Sequence, residues 1–288
     1  MTGVQTCALP IWKEAKDLKI GDKLVTPNIN TLDKFKNEID NNLDIEYLSA
    51  GWMLGDGWMS KKGWGVCFGP TEKKASEIVL KQMNEWHDKT EVLHMGNKKK
   101  IKEYVQPNGV INWQSQKINF KNLLSNKFGF EICKGPSKKI PEKVKYANPK
   151  QVANFLSGLF SADGCAVLAN NRLSVNLISA SKQLLDDVQS LLIPFGIKSR
   201  VRFGEVKTRE GRSQGILSIH NYDNLAIFAK YINFKLCEAK ENKLNDYLKN
   251  YKNDKIITCR DFSNIISIEE GEEEDEYDLI LDRSNNFL

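Results

Sequence analysis

One repeated segment constrains the fold of this chain more than any other feature. Residues 44–57 (DIEYLSAGWMLGDG) and residues 151–164 (QVANFLSGLFSADG) share one layout, in which a helix with small residues ends in Asp-Gly. The positions five and one before the final Asp hold small residues in both copies: Gly51 and Gly55, then Gly158 and Ala162. Residues four apart lie on one helix face. We therefore expect two helices whose small-residue faces allow close packing.

The sequence carries signals for where these helices start and stop. In the second copy, Asn148 is a predicted N-cap, Pro149 suits the first helical position, and Gln151 lies three residues after the cap. Gly57 and Gly164 are natural helix stops directly after the aspartates. Apolar residues recur at helical spacing in the second copy, namely Val152, Phe155, Leu156, Leu159 and Phe160.

The similarity between the two copies continues downstream. Each is followed by a strand-like run, an amphipathic helix, two further strand-like runs and another helix. We predict strands near 66–68, 102–105, 111–114, 173–177, 199–203 and 215–219, and helices near 71–87, 120–127, 181–192 and 224–231. The pattern favours an α+β fold of two pseudo-symmetric αββαββα halves, residues 44–146 and 147–250. The repeated helices would lie at the interface between the halves.

The repeat predicts a pair of carboxylates. If the helices pack along their small-residue faces, Asp56 and Asp163 meet at the C-terminal ends, where negative potential is concentrated. Oxygen ligands with open positions for water and phosphate suit Mg²⁺, and such a metal supports phosphodiester hydrolysis. The candidate metal site is Asp56 and Asp163 with the preceding Gly55 and Ala162. One copy alone would fit a buried helix with an Asp-Gly stop, but two copies in equal register favour the metal site.

Charge is distributed unevenly along the chain, whose net charge is +5. Residues 269–288 hold nine acids and one base, and residues 1–11 carry no charged side chain, so residues 12–268 carry +13. A body this basic suits nucleic acid as a partner rather than a membrane, although ordinary solubility charge would give the same total.

Other residue types exclude several classes of protein. The six cysteines form no CxxC pair and there are only three histidines, so neither a zinc site nor a disulfide framework is indicated. No apolar run approaches the roughly 20 residues that span a bilayer, and no signal peptide is recognisable. We expect a cytoplasmic protein.

The two Asp-Gly segments resemble the paired motifs of the LAGLIDADG homing endonucleases of the intein-associated type. Residues 49–57 (SAGWMLGDG) and 156–164 (LSGLFSADG) stand at the motif positions, and the resemblance covers about residues 44–250. The first copy departs from the consensus at several positions but keeps Gly51, Asp56 and Gly57. The earlier motif acid, which is not the catalytic one, is Leu54 in the first copy and Ser161 in the second.

The resemblance implies roles for particular residues. Members of this family hold divalent metal with the last acid of each motif. They lay saddle-shaped antiparallel sheets along the major groove of DNA, and cut both strands of a long site. A lysine in a Lys-x-Ile-Pro block is typically catalytic, and Lys138 heads such a block here. For the second half we expect Lys240 in this role, with Lys235 and Lys243 as rivals. The chain would be a monomer with an internal pseudo-two-fold axis, and its partner double-stranded DNA.

Polar and basic residues on or near predicted strands are candidates for DNA contact. Two sets alternate along strands and suit the reading of base edges: Asn112, Gln114 and Gln116, and Lys198, Arg200 and Arg202. A third set suits phosphate contact: Lys98, Lys99, Lys100, Lys207, Arg209 and Arg212.

The ends of the chain differ in character from its middle. Residues 1–11 (MTGVQTCALPI) resemble a translated sequencing adaptor, and residues 12–30 and 256–288 resemble partial intein segments. Two strands are predicted in the later segment, on either side of an acidic loop: Ile265, Ile266 and Ile268 in one, and Tyr277, Leu279 and Leu281 in the other. The splicing nucleophiles are absent from these segments, so we expect that the chain as written does not splice.

Two other functions stay open at this point. The same fold would serve a catalytically inactive DNA- or RNA-binding module of the maturase type, or a splicing element whose nuclease has decayed. The presence of Asp56, Asp163 and Lys138 together favours the enzyme.

Overall fold

The structure is a computed structural model that describes residues 17–25, 43–61, 63–89, 101–116, 118–133, 135–207, 213–250, 262–265 and 267–268. The chain divides into two compact units. One unit comprises Met1–Asn28 with Ile256–Leu288, and the other comprises Ile29–Lys255.

The described helices and strands follow in chain order. They are β1 (Lys23–Val25), α1 (Ile45–Asp56), β2 (Gly57–Met59), β3 (Trp64–Phe68), α2 (Lys73–Lys89), β4 (Lys102–Val105), β5 (Ile111–Ser115), α3 (Ile118–Phe128), α4 (Glu142–Lys145), α5 (Pro149–Asp163), β6 (Gly164–Ala169), β7 (Arg172–Ser179), α6 (Lys182–Leu192), β8 (Ser199–Lys207), β9 (Ser213–Ile219), α7 (Tyr222–Tyr231), α8 (Glu238–Asn250) and β10 (Phe262–Asn264).

The larger unit contains two halves with one order of elements. Half 1 runs from α1 to α3 and half 2 from α5 to α7, each as helix, two strands, helix, two strands and helix. Each half has a four-stranded antiparallel sheet, of order β2-β3-β5-β4 in half 1 and β6-β7-β9-β8 in half 2. The predicted α+β fold with αββαββα halves is confirmed. The short α4 precedes half 2, and α8 follows it.

The two motif helices have well-defined starts. The carboxylate of Asp44 accepts a hydrogen bond from the backbone N–H of Tyr47 (3.1 Å) at the start of α1. At the start of α5, Asn148 and Gln151 form the predicted capping box, in which each side chain accepts from the other residue's backbone N–H.

Both motif helices end at the predicted glycines, but in a different conformation from the usual glycine stop. Gly57 (φ −99°) and Gly164 (φ −82°) are extended rather than left-handed, because each is also the first residue of a strand. Glycine is needed at both positions because a side chain would not fit there. A Cβ on Gly57 would lie 2.3 Å from Met53 O, and one on Gly164 would lie 2.4 Å from Phe160 O.

The helices α1 and α5 cross in direct backbone contact. A Cβ on Gly51 would lie 1.9 Å from Phe155 O, and a Cβ on Gly158 would lie 2.0 Å from Leu48 O. Both distances are far below van der Waals contact, so only glycine fits at the crossing. The predicted packing of small-residue faces is confirmed, and it joins the two halves through one helix pair.

The sheets of the two halves are covered on one face by apolar side chains. Half 1 buries a cluster of aromatic rings, in which Trp64 stacks on Phe120 with 3.9 Å between ring centroids. In half 2, Phe228 contacts both Phe160 and Phe234 edge to face. No helix in the described part of the chain is both long enough and apolar enough to cross a membrane.

Among the described residues of the smaller unit, β1 pairs with β10 in antiparallel orientation. The backbone of Ile265 continues the pairing, since it accepts from Gly21 N–H (2.8 Å) and donates to Asp22 O (2.9 Å). The strand predicted at residues 265–268 is therefore displaced: β10 ends at Asn264, and Ile268 is 54% exposed. The strand predicted around Tyr277 lies outside the described residues.

Candidate active site

The paired helices bring Asp56 and Asp163 to one place. Each is the last residue of its helix. A Cβ on Gly55 would lie 3.4 Å from the carboxyl carbon of Asp163 and 2.7 Å from Ala162 Cβ. The Asp163 carboxyl group thus packs against the residue that precedes Asp56, as the equal register of the two motifs predicts.

Both carboxyl groups are held in an environment that disfavours their charge. Burial raises the pKa of Asp56 to about 7, with further increases from Asp163 and Glu72 and opposing effects from Lys240 and Lys138. Burial also raises the pKa of Asp163, again against Lys138 and Lys240. Two partly buried carboxyl groups with elevated pKa values would be stabilised in their charged forms by a bound cation.

Lys138 lies at the C-terminal end of α1. Its Nζ donates hydrogen bonds to the backbone oxygens of Leu54 and Gly55, both at 2.7 Å. These are carbonyls of the last helical turn, which lack partners within the helix. An ammonium group there also meets the negative end of the helix dipole.

Lys240 occupies the matching position at the end of α5. Its Nζ donates to the backbone oxygens of Ser161 (2.6 Å) and Ala162 (3.0 Å). The two rival lysines are placed differently. Lys235 is largely buried, which lowers its pKa, and its Nζ lies 3.5 Å from Asn154 Oδ1, whereas Lys243 is exposed. The geometry therefore favours Lys240 as the counterpart of Lys138.

The side chains and the backbone contribute differently to the candidate metal site. The carbonyls of Gly55 and Ala162 each accept one hydrogen bond from lysine and keep a second lone pair, and the Asp56 and Asp163 carboxylates offer further oxygen ligands. Among the described residues, no group of three or more His, Cys, Asp or Glu side chains is placed to hold a metal ion. Two carboxylates fit Mg²⁺, which keeps several waters and takes phosphate oxygens as further ligands.

Glu72 is a site residue that the sequence did not reveal. It lies in the turn after β3, where its carboxylate accepts from Gly69 N–H at 2.6 Å, and its charge raises the pKa of Asp56. The fragment Gly69-Pro70-Thr71-Glu72 carries a turn signal, but nothing in its spacing connects it with Asp56.

The candidates for base contact lie on the faces of the sheets opposite the core. In half 1, Asn112 and Gln114 alternate with Trp113, which packs against the core. Asn112 Oδ1 also accepts a hydrogen bond from Cys67 Sγ (2.7 Å), and the exposed Gln116 follows the end of β5.

Half 2 carries the more basic of the two described faces. Arg200 and Arg202 alternate with Val201 and Phe203, which pack against the core. Burial lowers the pKa of His220, and the charges of Arg202 and Arg200 lower it further, so these cations are close together. Lys198 is exposed just before β8. Lys207 ends β8, and Lys98, Lys99, Lys100, Arg209 and Arg212 lie outside the described residues.

Comparison with known proteins finds a match to a family model within half 2. Residues 150–233 match the family model of the LAGLIDADG-like domain. A solved structure of mesophilic variants of the homing endonuclease I-DmoI aligns with a TM-score of 0.47 and 18% identity, over 65% of this chain and 94% of that one. The match to the family model spans α5 to the residues after α7, and so contains Asp163 but not Asp56.

Several relatives match most of this chain within much longer proteins. Two are from Methanocaldococcus jannaschii: the replication factor C small subunit, 27% identical over 83% of this chain, and the ATP-dependent DNA helicase Hel308, 28% identical over 83%. A third is the ribonucleoside-diphosphate reductase NrdEB subunit alpha of Bacillus subtilis, 26% identical over 96%. The chain spans only 12%, 19% and 26% of these proteins, respectively.

Proposed function

We propose that this chain is a site-specific, Mg²⁺-dependent endonuclease that cuts both strands of DNA, a homing endonuclease carried within an intein. The observation that carries the proposal is the matched pair of helix ends, Asp56 with Lys138 and Asp163 with Lys240. Two equivalent acid–lysine pairs on a pseudo-two-fold arrangement suit a substrate with two antiparallel strands, each of which needs one cut.

In this proposal the aspartate and the lysine of each pair have different roles. Asp56 and Asp163 hold the metal, and bound Mg²⁺ lowers the pKa of a water and neutralises charge on the phosphate. Lys138 and Lys240 keep an ammonium group beside the carboxylates, where it orients the attacking water or stabilises the charge that develops on the phosphate. Both carboxylates are partly buried, which strengthens their interactions with the lysine ammonium groups relative to full exposure in water.

The outer faces of the two sheets supply the DNA-binding surface in this proposal. A β-sheet face with basic and amide side chains fits the major groove, where arginine recognises guanine and asparagine or glutamine recognises adenine. Arg200 and Arg202 would act in half 2, and Asn112 and Gln114 in half 1. The basic body of the chain supports a polyanionic partner.

The intein context is supported by the relatives. A helicase, a replication factor subunit and a reductase subunit have different activities by name, yet each contains a segment that matches 83% or more of this chain. The segment accounts for a quarter or less of two of these proteins and 26% of the third. An element inserted into different host proteins explains this distribution more simply than a shared function of the hosts.

The test is cleavage of a library of randomised DNA sites by the full chain with Mg²⁺ and with EDTA. We expect specific double-strand cuts that need the metal, and loss of cutting in Asp56→Asn and Asp163→Asn. Specific binding without cutting would instead support the inactive DNA- or RNA-binding module. Undiminished cutting by both variants would refute the shared carboxylate site.

A further inference from the structure

We propose that Ser161 and Ser181 are positioning residues, each for one of the two active-site lysines, so that each strand's cleavage can be weakened separately. The proposal rests on the proposed function, because it assigns the lysines to the nuclease site. It concerns hydrogen bonds behind the site that contact neither substrate nor metal.

A turn between α7 and α8 leads into the helix that carries Lys240. Two serines of α5 bind its backbone: Ser157 Oγ donates to Asn233 O (3.1 Å) and accepts from Lys235 N–H (3.2 Å). Ser161 Oγ accepts from Leu236 N–H at 3.1 Å. Because α8 begins at Glu238, these bonds fix the start of the helix that carries Lys240.

Ser161 acts at both ends of this connection. Its hydroxyl holds Leu236, and its own backbone oxygen accepts from Lys240 Nζ at 2.6 Å. Ser157 and Ser161 are fully buried, so no water replaces a lost hydroxyl without rearrangement. Loss of the Ser161 hydroxyl would leave the Leu236 N–H without a partner and loosen the turn beside Lys240.

Half 1 holds its lysine by other means. The positions of α1 that correspond to Ser157 and Ser161 are Ala50 and Leu54, which have no hydroxyl. Lys138 is instead fixed through its backbone, since Lys138 O accepts from Ser181 Oγ at 2.5 Å. Two residues further on, Ile140 N–H donates to the buried carboxylate of Asp187 (3.0 Å).

Ser181 and Asp187 belong to half 2, yet the Lys138 ammonium group contacts the end of α1 in half 1. Half 2 therefore positions both lysines, through two separate hydrogen-bond sets on α5 and α6. A defect in one set displaces one lysine, whereas general destabilisation of half 2 would affect both.

The first test measures each strand of a cleaved target site. A supercoiled plasmid with one site is cut by the wild-type chain, Ser161→Ala and Ser181→Ala, with each strand labelled. We expect each variant to slow one strand by about tenfold or more, with accumulation of nicked circles, and the two variants to slow opposite strands. Equal slowing of both strands, or slowing of the same strand by both variants, would overturn the proposal.

The matched control is Ser49→Ala. Ser49 is a fully buried serine of α1 whose hydroxyl has no hydrogen-bond partner among the described residues. The Ser49→Ala substitution removes a buried hydroxyl from a motif helix without removing a hydrogen bond. We expect both strands to be cut at wild-type rates.

The second test does not depend on cleavage. Trace acetylation of the metal-free full chain, followed by mass spectrometry, reports how freely each ammonium group reacts. We expect Lys240 to react at least about threefold faster in Ser161→Ala and Lys138 in Ser181→Ala, with the other lysine unchanged in each. Unchanged reactivity would overturn the positioning roles. A wild-type chain that fails to cut DNA would refute the proposed function alone.

Discussion

In the candidate site, carboxylates and lysine side chains shift the pKa of Asp56 in opposite directions. Burial raises the pKa of Asp56 to about 7, and two other carboxylates add to the effect, while Lys240 and Lys138 reduce it. In the metal-free protein Asp56 therefore titrates closer to neutral pH than an ordinary aspartate does. Under the proposed function these carboxylates bind a divalent cation, and that binding should be visible in stability as well as in activity.

Asp56→Asn is expected to stabilise the metal-free protein at pH 8 by about 1–4 kcal/mol, since a pKa unit corresponds to about 1.4 kcal/mol. The folded pKa of about 7 lies above the ordinary value of 3.8. The favourable contribution is therefore complete below about pH 4 and is lost as the pH rises through 7. Urea unfolding in EDTA measures the free energy of unfolding at pH 5 and at pH 8. The decrease from pH 5 to pH 8 should be larger in the wild-type chain than in Asp56→Asn.

Asp246→Asn is the control for this comparison, because Asp246 is exposed on α8. It should leave the pH dependence unchanged. Mg²⁺ at pH 8 should raise the stability of the wild-type chain more than that of Asp56→Asn. Parallel pH profiles for the wild-type chain and Asp56→Asn would contradict the raised pKa.

Lys240→Met is expected to reduce the cleavage rate by about 100-fold or more, the scale seen when one donor to a developing anion is removed. Binding of DNA in Ca²⁺ should change far less, so the effect should fall on the rate and not on affinity. Lys243→Met is the matched control, because Lys243 is exposed on the same helix. A larger effect from Lys243→Met would assign the role to that rival.

At the level of secondary structure, the pair of motif helices sets the geometry of everything else. The crossing at Gly51 and Gly158 leaves no room for a Cβ, and it fixes the distance between the two helix ends that carry the aspartates. Strands β2 and β6 start directly after those helix ends, so the helix crossing also determines where the two sheets begin.

Gly51→Ala is expected to destabilise the larger unit by about 1–3 kcal/mol, because its Cβ would lie 1.9 Å from Phe155 O and force the helices apart. The same displacement should separate Asp56 from Asp163 and lower cleavage. Gly135→Ala is the control, since its Cβ would have no atom within 4 Å. Urea unfolding and cleavage assays measure the two effects, and a wild-type profile for Gly51→Ala would contradict the crossing.

The elements that were predicted well are those with a local signal. The capping box at Asn148 and Gln151 lies within four residues of sequence, and helical spacing identified α5 around it. The strands β2 and β6 were not placed individually, because a strand that starts on the residue after a helix has no turn to mark it. The apolar run at residues 265–268 had the pattern of a strand, but pairing with β1 placed the strand earlier, at Phe262–Asn264.

The site divides in the same way. Asp56 and Asp163 follow from the repeat, which is visible in the sequence alone. Lys240 was only one of three candidates, because its position depends on how the turn after α7 folds back onto α5. Glu72 and Ser161 become significant only through contacts between segments that are distant in sequence, which no periodic pattern encodes.

On the scale of the whole chain, the separation of charge bears on DNA affinity. Basic residues are gathered in the body of the chain, and Arg200 and Arg202 lie together on the outer face of half 2. Cationic side chains on a DNA-binding surface displace counterions and make affinity depend strongly on salt concentration, whereas neutral amide side chains do not. The two described sheet faces should therefore contribute differently to affinity and its salt dependence.

A double Arg200→Gln, Arg202→Gln variant is expected to weaken DNA binding and to reduce the slope of log affinity against log salt concentration by up to about 2. Fluorescence anisotropy with a labelled target in Ca²⁺ measures this slope. The matched control is Lys182→Gln with Lys230→Gln, which removes two positive charges from exposed helix positions. Identical slopes for the two double variants would show that Arg200 and Arg202 add no electrostatic attraction to DNA.

The attachment of Lys138 has a consequence for building hybrid nucleases. The backbone of Lys138 is bound to Ser181, and the backbone of Ile140 is bound to Asp187. The segment is therefore attached to half 2, although the Lys138 ammonium group contacts the end of α1. Consider a graft that joins half 1 of one nuclease to half 2 of another at residue 147. The Lys138–Ile140 segment would then come from one parent, and its partners Ser181 and Asp187 from the other. A junction upstream of Lys138 would keep this segment and its partners from one parent. The unit to transfer is therefore half 2 together with the segment that contains Lys138.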